Sequence, residues 1–119
     1  MMNAVRQPDP VADAQREQLT AQFVVRSLEE VEQMRRCVPQ LIKGDPATWQ
    51  EVRFCAQRMG ALAHNLDLGV LAACARELAL LTDERFAGAK LTEHFLMSVT
   101  TAIEAVALEL NSLATRRRV

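Results

Sequence analysis

The chain has 119 residues, which is enough for one helical domain and too few for a second domain with its own core. Hydrophobic residues make up 50% of it but aromatic residues only 4%, so alanine and leucine dominate, as they do in packed helices. The net charge of -1 provides no basic surface for nucleic acid, and no unbroken run of about eighteen apolar residues is present to span a membrane. These features predict an all-α, cytoplasmic domain that binds neither nucleic acid nor a membrane.

The N-terminal part predicts a loose lead-in followed by helix. Residues 1–10 contain two prolines in a polar mixture and are expected to be flexible, whereas residues 11–119 form the predicted single domain. Residues 11–20 are expected to form a short cap helix across one end of that domain. A long amphipathic helix should follow, and Pro39 should kink or break its last turn. The apolar stripe of this helix consists of Val24, Leu28, Val31, Met34, Val38 and Leu41.

The segment KGDPATWQEV predicts a helix boundary. Gly44 suits the end of one helix, Asp45 the N-cap of the next, and Pro46 its first position. The turn NLDLG should then join the second long helix to the third, and a fourth should begin near Leu91. Four amphipathic helices with short loops predict an antiparallel up-down four-helix bundle. The inward positions are Trp49, Val52, Ala56, Met59, Ala63 and Leu66 in the second helix, Leu71, Cys74, Leu78 and Leu81 in the third, and Phe95, Val99, Ile103, Val106, Leu110 and Leu113 in the fourth.

The three cysteines do not predict a disulfide or a metal site. Cys37, Cys55 and Cys74 are an odd number without close spacing, and they are expected to be reduced and to pack as small hydrophobic residues. Neither His64 nor His94 is at a zinc-ligand spacing from a cysteine or another histidine. Motifs for nucleotide, flavin or haem are also missing from the sequence, so we expect no metal and no cofactor.

The stretch CAQRMGALAHNLDLGVLAACAREL, residues 55–78, resembles the histidine-containing phosphotransfer (HPt) domain of two-component signalling. That family reads AHxLKGSAxNLGxxxLAxxCxEL, where the histidine accepts the phosphoryl group and the lysine lies beside it. The resemblance implies a four-helix bundle that docks a receiver domain on the face of this helix. In a gapless alignment the matching positions, all of them in packing or turn roles, are Ala56, Met59, Ala63, Asn65, Leu66, Leu71, Ala72, Arg76, Glu77 and Leu78.

The positions that carry the family's chemistry are replaced. Gln57 stands at the phosphoacceptor position, Gly60 at the lysine and Ala61 at the glycine. A glutamine amide nitrogen has a delocalised lone pair and is no nucleophile, and a glycine cannot supply the charge of the lysine. The resemblance therefore implies a non-catalytic HPt-like protein, which binds a response-regulator receiver domain or a histidine kinase and modulates signalling without carrying phosphate.

A partner-binding face is predicted on the same helix, because residues three, four and seven apart lie on one side of it. Phe54 beside this face would supply an apolar anchor or, alternatively, would pack beneath the N-terminal cap helix. Two other functions stay open: His64 could be a displaced phosphoacceptor, or the chain could be a helical adaptor or dimerisation module unrelated to the family. The predicted partner-binding residues are Arg53, Phe54, Gln57, Arg58, Gly60, Ala61 and His64.

Overall fold

The computed structural model describes residues 9–83 and 92–117, which form five α-helices and no β-strand. The all-α prediction is therefore confirmed for this part of the chain. Most of the predicted lead-in and the predicted start of the last helix near Leu91 lie outside the described residues. The helices are α1 (Pro10–Arg36), α2 (Val38–Ile42), α3 (Pro46–Asn65), α4 (Gly69–Leu81) and α5 (Glu93–Arg117).

α1 is one continuous helix of 27 residues, so the prediction of a separate cap helix at residues 11–20 is wrong. Pro10, assigned to the lead-in, is its first residue, and the Asp9 carboxylate accepts a hydrogen bond from the Val11 backbone N–H at 3.0 Å. After this start no glycine or proline interrupts the helix, and most of its residues favour helix, so nothing ends it at residue 20. Pro39 lies in the first turn of α2, and the helix is interrupted just before this residue, as predicted.

The predicted boundary between α2 and α3 is confirmed. Gly44 has a φ of 76°, a conformation that a glycine adopts without the strain of a Cβ atom. Asp45 is the N-cap residue and Pro46 the first residue of α3. The Asp45 carboxylate accepts a hydrogen bond from the Thr48 hydroxyl at 2.6 Å, however, and not from a backbone N–H.

The turn between α3 and α4 forms a helix-ending motif around Asp67, which has a φ of 58°. The Leu68 N–H donates to the carbonyl of Ala63 at 2.8 Å, and the Asp67 N–H donates to that of His64 at 3.1 Å, which satisfies the last carbonyls of α3. Aspartate tolerates this left-handed conformation better than most residues. α4 then returns along α3, and these two helices form the most extensive helix contact among the described residues.

The core runs between the buried faces of α1, α3, α4 and α5, and most predicted inward positions are buried. At one end, Trp49 joins three helices: its indole N–H donates to the Leu41 carbonyl at 3.1 Å, and its ring stacks on Phe95 with the centroids 5.8 Å apart. Phe23 and Ala75, which were not predicted, also join the core. The predicted inward residues that are only half-buried are Leu28, Val38, Leu66, Cys74, Leu81 and Phe95.

α5 packs against both α1 and α4. It contains a stretch with a mean hydropathy of 1.2. Among the helices of the described residues, α5 alone is long and apolar enough to cross a membrane, judged by length and composition only. In this fold its apolar stripe, including Val99, Ile103 and Val106, lies in the core. Arg35 of α1 joins Glu104 of α5 through two hydrogen bonds of 2.8 and 2.7 Å.

Candidate functional site

α3 lies between two shallow grooves that open to solvent. The α3–α4 groove encloses about 360 Å³ and is lined by Gln57, Gly60, Ala61 and His64 of α3 together with residues of α4. The α1–α3 groove encloses about 300 Å³, and its lining includes Glu30 of α1 and Phe54, Cys55 and Arg58 of α3. The sequence-predicted partner-binding residues are thus divided between two sides of the same helix.

Gly60 is the point where α3 and α4 come close. A Cβ atom at this position would lie 3.5 Å from the Ala75 Cβ and 3.7 Å from the Ala72 carbonyl oxygen. The close approach that a small residue permits is therefore made by a helix of the same chain. Ala61, the neighbouring small residue, is exposed and remains accessible to another molecule.

Three polar side chains of the α3–α4 groove, those of Gln57, His64 and Arg76, are exposed. Within residues 9–83 and 92–117 none of them forms a side-chain hydrogen bond or an ion pair with the chain. The acidic side chain in the described lining, Asp83, is not free. Within the described part of the chain, this groove therefore presents donor groups that have no partner.

Three polar side chains of the α1–α3 groove, those of Glu30, Cys55 and Arg58, are joined through Glu30. Its carboxylate accepts hydrogen bonds from the Cys55 thiol at 2.7 Å and from Arg58 at 3.1 Å, and Arg26 lies 3.7 Å away. Burial first, and then the neighbouring carboxylate, raises the pKa of Cys55 to about 12. The hydrogen bond to Glu30 also raises the pKa of Arg58. The thiol therefore stays protonated and unreactive at neutral pH.

An apolar ridge on α3, made of Phe54, Ala61 and Leu62, adjoins both grooves, since Phe54 lines the α1–α3 groove and Ala61 lines the α3–α4 groove. Phe54 is 51% exposed, so the alternative that it packs beneath an N-terminal helix is wrong. The half-buried Arg53 holds its guanidinium over the Phe54 ring, 5.1 Å from the centroid. Leu62, two turns further along α3, is 44% exposed. Large apolar side chains on a helix flanked by polar groups are typical of a protein-binding surface.

Comparison with protein-family models, with curated proteins and with solved structures finds no match. Gln57 offers no nucleophile, and the described part of the chain contains no group of three or more His, Cys, Asp and Glu residues that could hold a metal ion. His64 is exposed and lies in the α3–α4 groove.

Sequence reasoning missed the contribution of α4 to this groove. Arg76 and Leu80 line it, although Arg76 was noted only as a match to a packing motif. They are four residues apart and lie beside the buried positions Leu71, Ala75 and Leu78. This spacing places them on one edge of α4, but only the pairing of α4 with α3 shows that the edge faces Gln57.

Proposed function

We propose that this chain is a non-catalytic HPt-like protein that binds the receiver domain of a response regulator and modulates two-component signalling without carrying phosphate. A histidine kinase is the alternative partner. The four long helices would form the antiparallel up-down bundle of the HPt family, with α2 as a short connection. The partner would dock along α3.

The position of Gln57 is the observation that carries this proposal. The residue aligned with the phosphoacceptor is exposed, in the middle of a long helix, at the edge of an open groove. The residues that pack around it match the family, whereas the nucleophile is exchanged for an amide at Gln57 and the lysine for Gly60. Packing that is retained while the chemistry is lost favours binding over catalysis.

The exposed ridge supports the same proposal. Phe54 and Leu62 are large apolar side chains at 51% and 44% exposure, and Ala61 lies between them along the helix. A partner helix or loop laid over α3 would cover all three and reach both grooves at the rims. Such a surface has an apolar centre and a polar rim, the usual arrangement in protein–protein interfaces.

The test is to incubate the purified protein with phosphorylated and unphosphorylated receiver domains from the same cell and to follow both binding and label transfer. We expect binding to at least one receiver and no label on this chain. Label that moves from a receiver to this chain in an acid-labile form would overturn the non-catalytic part of the proposal. The lack of binding to every receiver and every kinase would overturn the proposal as a whole.

A matched pair of variants would locate the docking surface. Ala61→Arg places a long charged side chain on the ridge, whereas Ala105→Arg places the same side chain at an exposed position that lines a groove between α4 and α5. Both positions are exposed, so both variants should fold. We expect Ala61→Arg to weaken receiver binding at least tenfold, as blocking an interface centre does, and Ala105→Arg to leave it unchanged.

Phosphotransfer through His64 is a second candidate function, favoured by one specific observation. α4 supplies Arg76 to the groove that contains His64, so a cation is available although the family's lysine position holds Gly60. Under this function, His64→Ala abolishes label transfer. Under the non-catalytic function the wild type shows no label transfer, so His64→Ala has nothing to abolish. Gln57→His is the matched variant, because it places an imidazole at the position aligned with the family's phosphoacceptor.

A further inference from the structure

The α3–α4 groove contains a cation, Arg76, that has no ion-pair partner among the described residues. Arg76 is exposed and lines the groove together with Gln57 and His64. Two other arginines, Arg58 of α3 and Arg16 of α1, are each paired with a carboxylate of the same chain, Glu30 and Asp67 respectively. In the part of the chain that the structure describes, no carboxylate pairs with Arg76.

The available donors of this groove favour an anion, and the carboxylate in its described lining, Asp83, is engaged in an interaction of its own. Arg76 offers a fork of N–H donors with a permanent charge, and Gln57 and His64 add an amide and an imidazole donor. Gly60 and Ala61 have little or no side chain, so the space above them stays open. Charge-assisted hydrogen bonds from a guanidinium are strongest to the oxygens of a phosphoryl or carboxylate group.

We propose that the α3–α4 groove binds the phosphoryl group carried by the receiver's phosphorylated aspartate, and that Arg76 makes the chain prefer the phosphorylated receiver. This inference rests on the proposed function. It adds the state of the partner that is recognised and the residue that recognises it. No bond is made or broken, because the phosphoryl group stays on the receiver.

The preference would come from α4 and not from α3. Gly60 stands where the family's lysine would be and carries no charge, so α3 offers the groove only the neutral amide of Gln57 and the imidazole of His64. Arg76 approaches from the neighbouring helix, close to Gly60: a Cβ at Gly60 would lie 3.8 Å from the Arg76 backbone nitrogen. The guanidinium can therefore reach a group that enters beside Gln57.

The experiment measures the dissociation constant of the full chain for one receiver in its unmodified form and in its beryllofluoride-loaded form, which mimics the phosphoryl group. We expect about tenfold tighter binding to the loaded form, the size of one charge-assisted hydrogen bond at an exposed site. Arg76→Gln should bring the ratio close to one. Arg76→Lys should retain part of it, because an ammonium keeps the charge but not the fork.

Arg36→Gln is the matched control. Arg36 is an exposed arginine at the end of α1, outside both grooves, and no carboxylate of the described residues pairs with it. The control should keep the tenfold ratio. Thermal unfolding should give the same midpoint for both glutamine variants and the wild type, so a changed ratio would not reflect a folding defect.

Each outcome decides one point. Equal binding of both receiver forms by the wild type overturns this inference and leaves the proposed function intact. A preference that survives in Arg76→Gln also overturns it. Free inorganic phosphate is the other source of the same anion: if millimolar phosphate perturbs Gln57 and His64 NMR signals while the receiver forms bind equally, the groove is a small-anion site. Absence of binding to every receiver overturns this inference, and absence of binding to every receiver and every kinase overturns the proposed function as well.

Discussion

The two grooves beside α3 differ in what the fold does with their polar groups. In the α1–α3 groove, Glu30 binds the Cys55 thiol and Arg58, so each of these groups has a partner within the chain. In the α3–α4 groove, Gln57 and Arg76 are exposed and have no side-chain partner in the described residues. Polar groups that stabilise a fold are paired inside it, whereas groups kept for a ligand stay available. One side of α3 is therefore structural, and the other is suited to binding.

The largest effect is expected in the core that supports both grooves. Leu78 of α4 is 0% exposed, and Leu78→Ala should lower the free energy of unfolding by about 2–5 kcal/mol through lost burial and a cavity. Leu80→Ala is the control, because Leu80 is 55% exposed and lines the α3–α4 groove. Urea unfolding followed by circular dichroism measures both. Equal losses in the two variants would contradict the assignment of Leu78 to the core.

The next effect concerns the pairing in the α1–α3 groove. Glu30→Gln removes the charge that holds Arg58 and Arg26, and it should lower the free energy of unfolding by about 1 kcal/mol, since both arginines are largely exposed. Glu29→Gln, at an exposed neighbouring carboxylate, should change it by less than about 0.5 kcal/mol. If the two glutamine variants are equally stable, Glu30 does not tie α1 to α3.

The same substitution should change the reactivity of the Cys55 thiol. Glu30→Gln removes a negative charge beside the sulfur, which favours the thiolate and lowers the pKa of Cys55 from about 12. Burial is the larger cause of the raised pKa, so the pKa should stay above that of an ordinary cysteine. If the pKa of Cys55 falls by about one, the thiolate fraction at pH 8.5 rises up to tenfold, and the rate of alkylation of Cys55 rises with it. Mass spectrometry of the Cys55 peptide measures this rate, with Cys74 as the internal reference.

Gly60 tests the close contact beneath the α3–α4 groove. Gly60→Ala should raise the free energy of unfolding by about 0.5–1 kcal/mol, because alanine favours helix and its Cβ would meet Ala75 at an ordinary 3.5 Å. Gly44→Ala should have the opposite sign, since Gly44 has a φ of 76°. A destabilised Gly60→Ala would mean that the two helices pack more tightly than the structure places them.

The smallest effects are expected for the available groups of the α3–α4 groove. Gln57→Ala and His64→Ala should each change the free energy of unfolding by less than about 0.5 kcal/mol, because neither side chain has a partner in the described residues. The same unfolding measurements provide the test. A loss above 1 kcal/mol in either variant would show that the residue stabilises the fold, and it would remove the contrast between the two grooves.

Helix boundaries and buried stripes are local features, and they follow directly from the order of residues. The boundary at Gly44, Asp45 and Pro46 was predictable because conformation and capping at these positions depend on the residue and its immediate neighbours. The buried stripes of the four long helices were predictable because a period of 3.6 residues places them on one face. The continuity of α1 was missed, although the lack of any breaker between residues 11 and 36 was a visible signal.

The neighbours of each edge of α3 depend on how the helices pack against one another. Periodicity defines a face, but it does not say that Arg58 lies beside Glu30 of α1 or that Arg76 of α4 lines the same groove as Gln57. The residues of the first pair are 28 positions apart and those of the second are separated by a turn, so their placement depends on how whole helices pack. The predicted partner-binding residues are divided between two grooves for this reason: residues that are adjacent on α3 face different neighbouring helices. Helix formation follows from local chemistry, whereas the two grooves follow from the pairing of helices.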